Sequence, residues 1–400
     1  MIADPPLAGV RILSVEQYGA GPFATLYLAD MGAEIIKIED PASGDSSRAS
    51  GPHFLGANDS LFYQTFNLGK KSVGLDLRRP AGRATLQRLA VTADAVLNNL
   101  RGDQPGKLGL TYAALGPLNR RLVCAHLSGY GRTGERASWP GYDFLMQAEA
   151  GFLAVTGEPD TPPTRMGLSI VDYLSGITAA FALTAALYGA ARTGRGRDVD
   201  VTLYDVAMHQ MTYPAVWYLN TGDVTLRRPR SGHPSVVPCE TFPTADGQIF
   251  LMCVLPKFWQ ALCHILGLSP LIADDRFATP VARRTNRDAL AEILDAALKT
   301  HPTGYWMAAF AGQVPAAPVL TLPQALDNPW LAETGGIQQP GHPVLPGMRV
   351  LSSPIRLDGV RPMARTAPAL GAHTREVLEA AGFSAPEIAT LQAEGVIGAA

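Results

Sequence analysis

The chain has 400 residues, 47% of them hydrophobic, and a formal net charge of −2. That length is too great for one ordinary domain and suits two. With no basic surplus, the composition argues against a partner held through a nucleic-acid backbone. Cys124, Cys239, Cys253 and Cys263 form no C-x-x-C pair and sit in apolar surroundings. They read as buried thiols of a reducing compartment, not as disulfides or zinc ligands. The start, MIADPPLAGVRIL, lacks the basic region and long apolar core of a secretory signal. A cytoplasmic protein without a membrane partner is expected.

Strand and helix alternate through the first half. VRILSV from Val10 reads as a strand, and GAGPFATLYLADMG as a glycine turn entering a helix. AEIIKIE from Ala33 and SVGLDL from Ser72 follow as strands, the latter leading to a helix with Pro80 in its first turn. AVLNNL from Ala95 and RLVCAHLSG from Arg121 add two more. Strands that are apolar nearly throughout, alternating with helices, indicate a parallel sheet covered on both faces. The apolar run Ile177 to Ala191 is short for a membrane span and is followed by Arg192, Arg195 and Arg197. It reads as a buried core helix. DVDVTL and a helix from Tyr204 to about Tyr218 come next, then a hairpin in CETFPTADGQIFLMCVL turning at Ala245-Asp246-Gly247.

The expected organisation is a large doubly wound, Rossmann-like α/β domain over 1–203, completed by helices at 371–400. A helical linker (204–225), a smaller α+β domain (226–325) and an extended Pro-rich linker (326–370) make up the remainder.

Gly19-x-Gly21 is followed at once by Pro22 and Phe23, so a three-glycine dinucleotide fingerprint is missing, although Glu39 ends the second strand where a ribose partner would stand. The eight histidines show no metal-ligand spacing, and no G-x-S-x-G elbow occurs. Cations cluster around strand ends: Lys70, Lys71, Arg78, Arg79, Arg101, Lys107, Arg132 and Arg136. Ligands of open α/β sheets bind outside the carboxyl ends of the strands, and such charges would suit a polyphosphate. Solvated loop charges are the competing reading. Asp172, in GLSIVDYLSG, is a lone carboxylate in an apolar setting. It fits a helix N-cap, or a nucleophile made reactive by poor hydration and kept ionised by helix N–H groups. The two readings are compatible.

Six blocks in order, GVRILSVEQYGAGPFATLYLADMGAEIIKIEDPASGD, FNLGKKSVGLDLRRPAGR, VLNNLRGDQPGKLGL, GYDFLMQAEAGFLAVTG, ARTGRGRDVDVTLYDVAM and GHPSVVPCETFPTADG, resemble the class III CoA-transferases of the CaiB/BaiF type. The resemblance spans essentially the whole chain. It implies transfer of CoA from an acyl-CoA to a free carboxylate, with coenzyme A as substrate and no tightly bound cofactor. It implies an aspartyl anhydride and an aspartyl-CoA thioester on Asp172, and an interlocked homodimer. It places Gln17 beside the reacting carbonyl, two residues earlier than the glutamine of formyl-CoA transferases. Gly19, Ala20, Leu75, Arg78, Asn99, Leu100, Arg101, Lys107 and Tyr142 fall on CoA-binding positions, Lys107 where arginine is usual.

RRPRSGHPSVVP replaces the glycine-rich loop of formyl-CoA transferases, which disfavours a formyl/oxalate pair. Arg227, Arg228, Arg230 and His233 there are candidates for a distal carboxylate, as in a small dicarboxylate with a succinyl-CoA-like donor. α-Methylacyl-CoA racemases share the resemblance but use a histidine in a GHD motif; Tyr142 in GYD is the transferase pattern. A non-catalytic acyl-CoA-binding protein would keep the cations without needing Asp172.

Overall fold

A computed structural model describes residues 4–398 of the chain. They pack into two compact units, one within 4–150, 167–211 and 329–398, the other within 151–166 and 212–328. The first is built on a six-stranded sheet: β1 (Arg11–Val15), β2 (Glu34–Glu39), β3 (Lys71–Gly74), β4 (Ala95–Asn98), β5 (Val123–Ser128) and β6 (Asp198–Thr202). Their order is β3-β2-β1-β4-β5-β6 and every pairing is parallel. The strands read as apolar because both faces are covered; Ile12, Leu13, Val96, Leu97 and Val123 are fully buried.

On one face Leu86 and Leu89 of helix Pro80–Ala90 meet Val377, Leu378 and Ile388 of the closing helices. The helices Ala20–Asp30 and Ile170–Thr193 pack on each other. They come close because Gly176 has no side chain: a Cβ there would lie 2.7 Å from the Ala20 carbonyl oxygen. The long helix departs from the expected buried core helix. Its Val171, Ser175, Ala179 and Leu183 face is buried, whereas Phe181 is 74% and Tyr188 66% exposed. By length and composition alone it is apolar enough to cross a membrane.

The strand order reverses between β1 and β4, which pair directly through Val15 and Asn98. Connections leaving adjacent strands there diverge to opposite sides and open a crevice. The segments that follow, Glu16–Ala20 and Asn99–Arg101, flank it.

The second unit is built on an antiparallel sheet of β7 (Cys239–Pro243), β8 (Gln248–Met252) and β9 (Ala316–Pro318). Phe242, Ile249 and Leu251 pack with Trp259, Leu262 and Leu294 of its helices. The β7–β8 turn closes through Thr244 Oγ1, which accepts the Gly247 N–H at 3.0 Å. All four cysteines are buried and unpaired.

Three boundaries differ from expectation. Residues 151–166 go with the second unit, not the large domain. The expected linker 204–225 divides at Met211, because Thr212 has φ +38° and breaks the helix into Leu203–Gln210 and Thr212–Thr221. From Pro329 the Pro-rich segment belongs to the first unit, where His342 hydrogen-bonds Asp59 at 3.0 Å.

Candidate active site

A cleft of about 770 Å³ occupies the crevice of the first unit. Gln17, Gly19, Ala20, Asn99, Leu100, Arg101, Tyr142 and Asp172 all line it, as do Tyr18, Ser128 and Asp143.

The turn after β1 is held from below. Asn99 brackets the Gln17 peptide, its Oδ1 accepting the N–H at 2.9 Å and its Nδ2 donating to the carbonyl at 2.7 Å. Asn99 is thus a scaffold of the turn as well as a lining residue. Gly19 lies directly under the Asp172 carboxylate: a Cβ there would sit 2.3 Å from Oδ2.

Asp172 is not the N-cap. Ser169 takes that position, without a side-chain cap, and Asp172 is the third residue of the helix. The orphan N–H of Asp172 donates to Asp143 Oδ2 at 2.9 Å, so a carboxylate from another helix start supplies the cap. Asp143, 4% exposed, also accepts Gln147 Nε2 at 2.6 Å. Asp143 is the last residue of GYD, and nothing in the local sequence signals this role.

The helix N–H groups do not hold Asp172 in the low carboxylate range. Burial first, and the nearby Asp143 charge second, push it up to about 7 from its ordinary 3.8. A carboxyl raised on folding contributes stability that is complete below its unfolded value and is lost as pH rises through about 7. Asp172→Asn is therefore expected to be more stable than the parent by about 1–3 kcal/mol at pH 8. Little of that gain is expected near pH 4, where the folded carboxyl is neutral and the unfolded one is only about half ionised. Urea unfolding at the two pH values checks this; an equal gain at both would assign it to packing.

The cations are more paired than their spacing suggested. Arg101 and Lys107 both reach Asp103, at 2.7 and 2.6 Å. Arg78, 73% exposed, pairs with Asp40 and Asp76, and Arg132 pairs with Asp200. Lys71 starts β3 at the strand's amino end and pairs with Glu34 and Glu376, while Lys70 is buried on Glu16. Lys70 is thus closed to a ligand, and Lys71 stands at the strand end opposite the cleft. Leu75 is 2% exposed and bridged to Ile397, so it offers no side-chain surface, and Leu75, Arg78 and Lys107 do not line the cleft. Glu39, considered as a ribose partner, is locked by Arg48 and Ser72.

No histidine is among the described residues lining the cleft. His126 is buried between Asn98 and Asp198, accepting from the amide at Nδ1 and donating from Nε2, each at 2.8 Å. It pins three strands together. In the second unit Arg230 is bidentate to Asp295 at 2.7 and 2.5 Å. His233 Nδ1 accepts the N–H groups of Ser235 and Val236. Arg228 is exposed and has no ion pair among the described residues.

Residues 7–374 match the family model described as CoA-transferase family III. A succinate–glutarate CoA-transferase of Agrobacterium fabrum is 35% identical over 387 residues, covering 94% of this chain and 95% of the relative. An acetyl-CoA:oxalate CoA-transferase of Acetobacter aceti is 34% identical, over 85% of this chain and 88% of the relative. A succinyl-CoA–D-citramalate CoA-transferase of Chloroflexus aurantiacus is 34% identical over 98% of both. The crystal structure of a CaiB/BaiF family protein from Brucella suis superposes with a TM-score of 0.82 at 31% identity, covering 94% of this chain and 100% of that one. A doubly wound sheet with its cleft at the strand reversal, and these whole-length matches, lead to one assignment: the chain belongs to CoA-transferase family III.

Proposed function

We propose that the protein transfers CoA from a succinyl-CoA-like donor to a small dicarboxylate, with Asp172 as the covalent nucleophile. The observation that carries the reading is the Asp172 carboxylate, set at the cleft against Gly19 and raised to about 7 by burial and Asp143. A poorly hydrated carboxylate is the more reactive one toward a thioester carbonyl.

One Asp172 oxygen attacks that carbonyl, the C–S bond breaks, and CoA leaves as thiolate with an aspartyl anhydride behind. The thiolate then attacks the aspartyl carbonyl and expels the donor acid as carboxylate, leaving an aspartyl-CoA thioester. The acceptor carboxylate displaces thiolate to form a second anhydride. Thiolate attack on the acceptor's carbonyl completes the exchange and restores Asp172. No net proton is taken up. Arg101 is the cleft's cation for CoA phosphate, with Lys107 beside it through Asp103.

Hydroxylamine added with acyl-CoA should convert Asp172 to a hydroxamate, read by mass spectrometry; no adduct with any active donor would sink the reading. A racemase on this scaffold would need a base at the α-carbon, and Tyr142, 65% exposed, is a poor one at neutral pH.

The acids named for the relatives share a second carboxylate, which supports a dicarboxylate acceptor. Of the cations first considered for it, Arg230 is paired with Asp295. A second copy covering the Ile177, Phe181 and Tyr188 face would form the homodimer, measurable by sedimentation.

A further inference from the structure

Beneath the cleft, the turn from Glu16 to Pro22 is gripped by buried charges that the transfer chemistry does not use. Tyr18 has φ +68°, a left-handed conformation disfavoured for a side-chain-bearing residue. Its N–H donates to the Asp45 carboxylate, at 3.0 and 3.3 Å from the two oxygens. Asp45 is 3% exposed and Lys37 not at all. Lys37 Nζ lies 2.7 Å from Asp45 Oδ2 and donates to the Glu16 carbonyl at 3.1 Å. One ammonium thus joins the carboxylate under Tyr18 to the peptide that precedes Gln17. Lys70 holds the far side, donating to the Glu16 carboxylate at 2.8 Å and the Pro22 carbonyl at 3.0 Å.

A buried ion pair is seldom a net gain in stability over a well-packed apolar pair. What Lys37 and Asp45 supply, and apolar groups would not, is a donor and an acceptor at fixed points on the backbone of the turn. Asp45 also accepts the Ser47 N–H at 2.8 Å, a local capping role that does not require Lys37. The residue after Tyr18 is Gly19, whose α-carbon faces the Asp172 carboxylate.

We propose that Asp45, oriented by Lys37, is a positioning residue for acyl transfer: it holds Tyr18 left-handed and thereby sets Gly19 against Asp172. The inference rests on the reading of Asp172 as nucleophile.

The test compares Lys37→Met/Asp45→Asn with Lys37→Met/Asp45→Ala. Both pairs are neutral, and only asparagine keeps an oxygen under the Tyr18 N–H. Single-turnover acylation, quenched as the Asp172 hydroxamate, should be about 10- to 100-fold slower in the alanine variant, with the Kd for CoA alike in both. In a Tyr18→Gly background the gap should close to within about threefold, because glycine takes a positive φ unaided. Equal rates with Tyr18 present, or an undiminished gap with glycine, overturn the proposal; the second outcome marks general loosening. No hydroxamate in the wild type overturns the nucleophile reading and this inference with it.

Should either double variant prove unfolded by circular dichroism, Tyr18→Asn, Tyr18→Gly and Tyr18→Val keep the test open. Asparagine and glycine accept the left-handed region and valine does not. Valine acylating as fast as glycine would overturn the proposal.

Discussion

Asp172→Ala is expected to lower CoA transfer by on the order of 10³-fold or more while leaving CoA binding in place. In the proposed cycle the residue supplies the atom that becomes acylated, and among the described residues no carboxylate other than Asp143 joins it in lining the cleft. Asp143 cannot substitute, because its two oxygens are engaged by the Asp172 N–H and by Gln147. Asp172→Asn should fail equally, since an amide is a poor nucleophile of nearly the same shape. Calorimetric CoA binding beside a transfer assay separates lost chemistry from lost substrate. In the wild type, only the ionised carboxylate attacks, so the rate should fall as pH drops through about 7. The gain in stability expected for Asp172→Asn at pH 8 runs the opposite way, so the charge proposed to drive the chemistry is also expected to weaken the fold. A variant that kept a substantial part of the activity would overturn the covalent route through Asp172.

Gly19→Ala is expected to reduce kcat by on the order of 10²-fold. The added methyl would lie 2.3 Å from Asp172 Oδ2 and 3.2 Å from its Cγ, so the carboxylate must swing away from its position over the turn. Gly19 has a negative φ, −112°, so no left-handed strain adds to the close approach. The thermal midpoint should change little, because the clash is at the tip of a half-buried side chain that can rotate. A kcat within a few-fold of wild type would show that the resting position of Asp172 over Gly19 is not the reactive one.

Much of the large unit was legible in the chain itself. Strands buried on both faces must be apolar nearly throughout, as ILSV, IIKI and VCAHLS are, and such strands alternating with helices permit few arrangements. Proline in the first turn marked the helix at Pro80, and Asp172 stood out as a carboxylate among apolar neighbours. Other signals were present but ambiguous. Lys37 inside EIIKIE was a charge on a buried strand, and only its contact with Asp45 and the Glu16 carbonyl explains it.

Residue spacing conveys little about partners that meet only after folding. Asp143 lies 29 residues before the N–H it accepts, and Asp295 65 residues beyond Arg230. Cations that looked available for phosphate or carboxylate are therefore largely paired, Arg230 with one aspartate, and Arg101 and Lys107 with a single shared one that leaves a net positive charge. Leu75, expected at a CoA-binding position, is buried and bridged to Ile397 from the far end of the chain. By itself, the sequence determined a parallel sheet covered on both faces and singled out one carboxylate in an apolar setting, because periodicity and a lone charge are local properties. Only the tertiary structure decided that carboxylate's surroundings: Gly19 beneath it, Asp143 at its N–H, and a turn held from below by Asn99 and Asp45. These depend on distances between distant segments, and those exist only once the sheet has brought β1, β2 and β4 side by side.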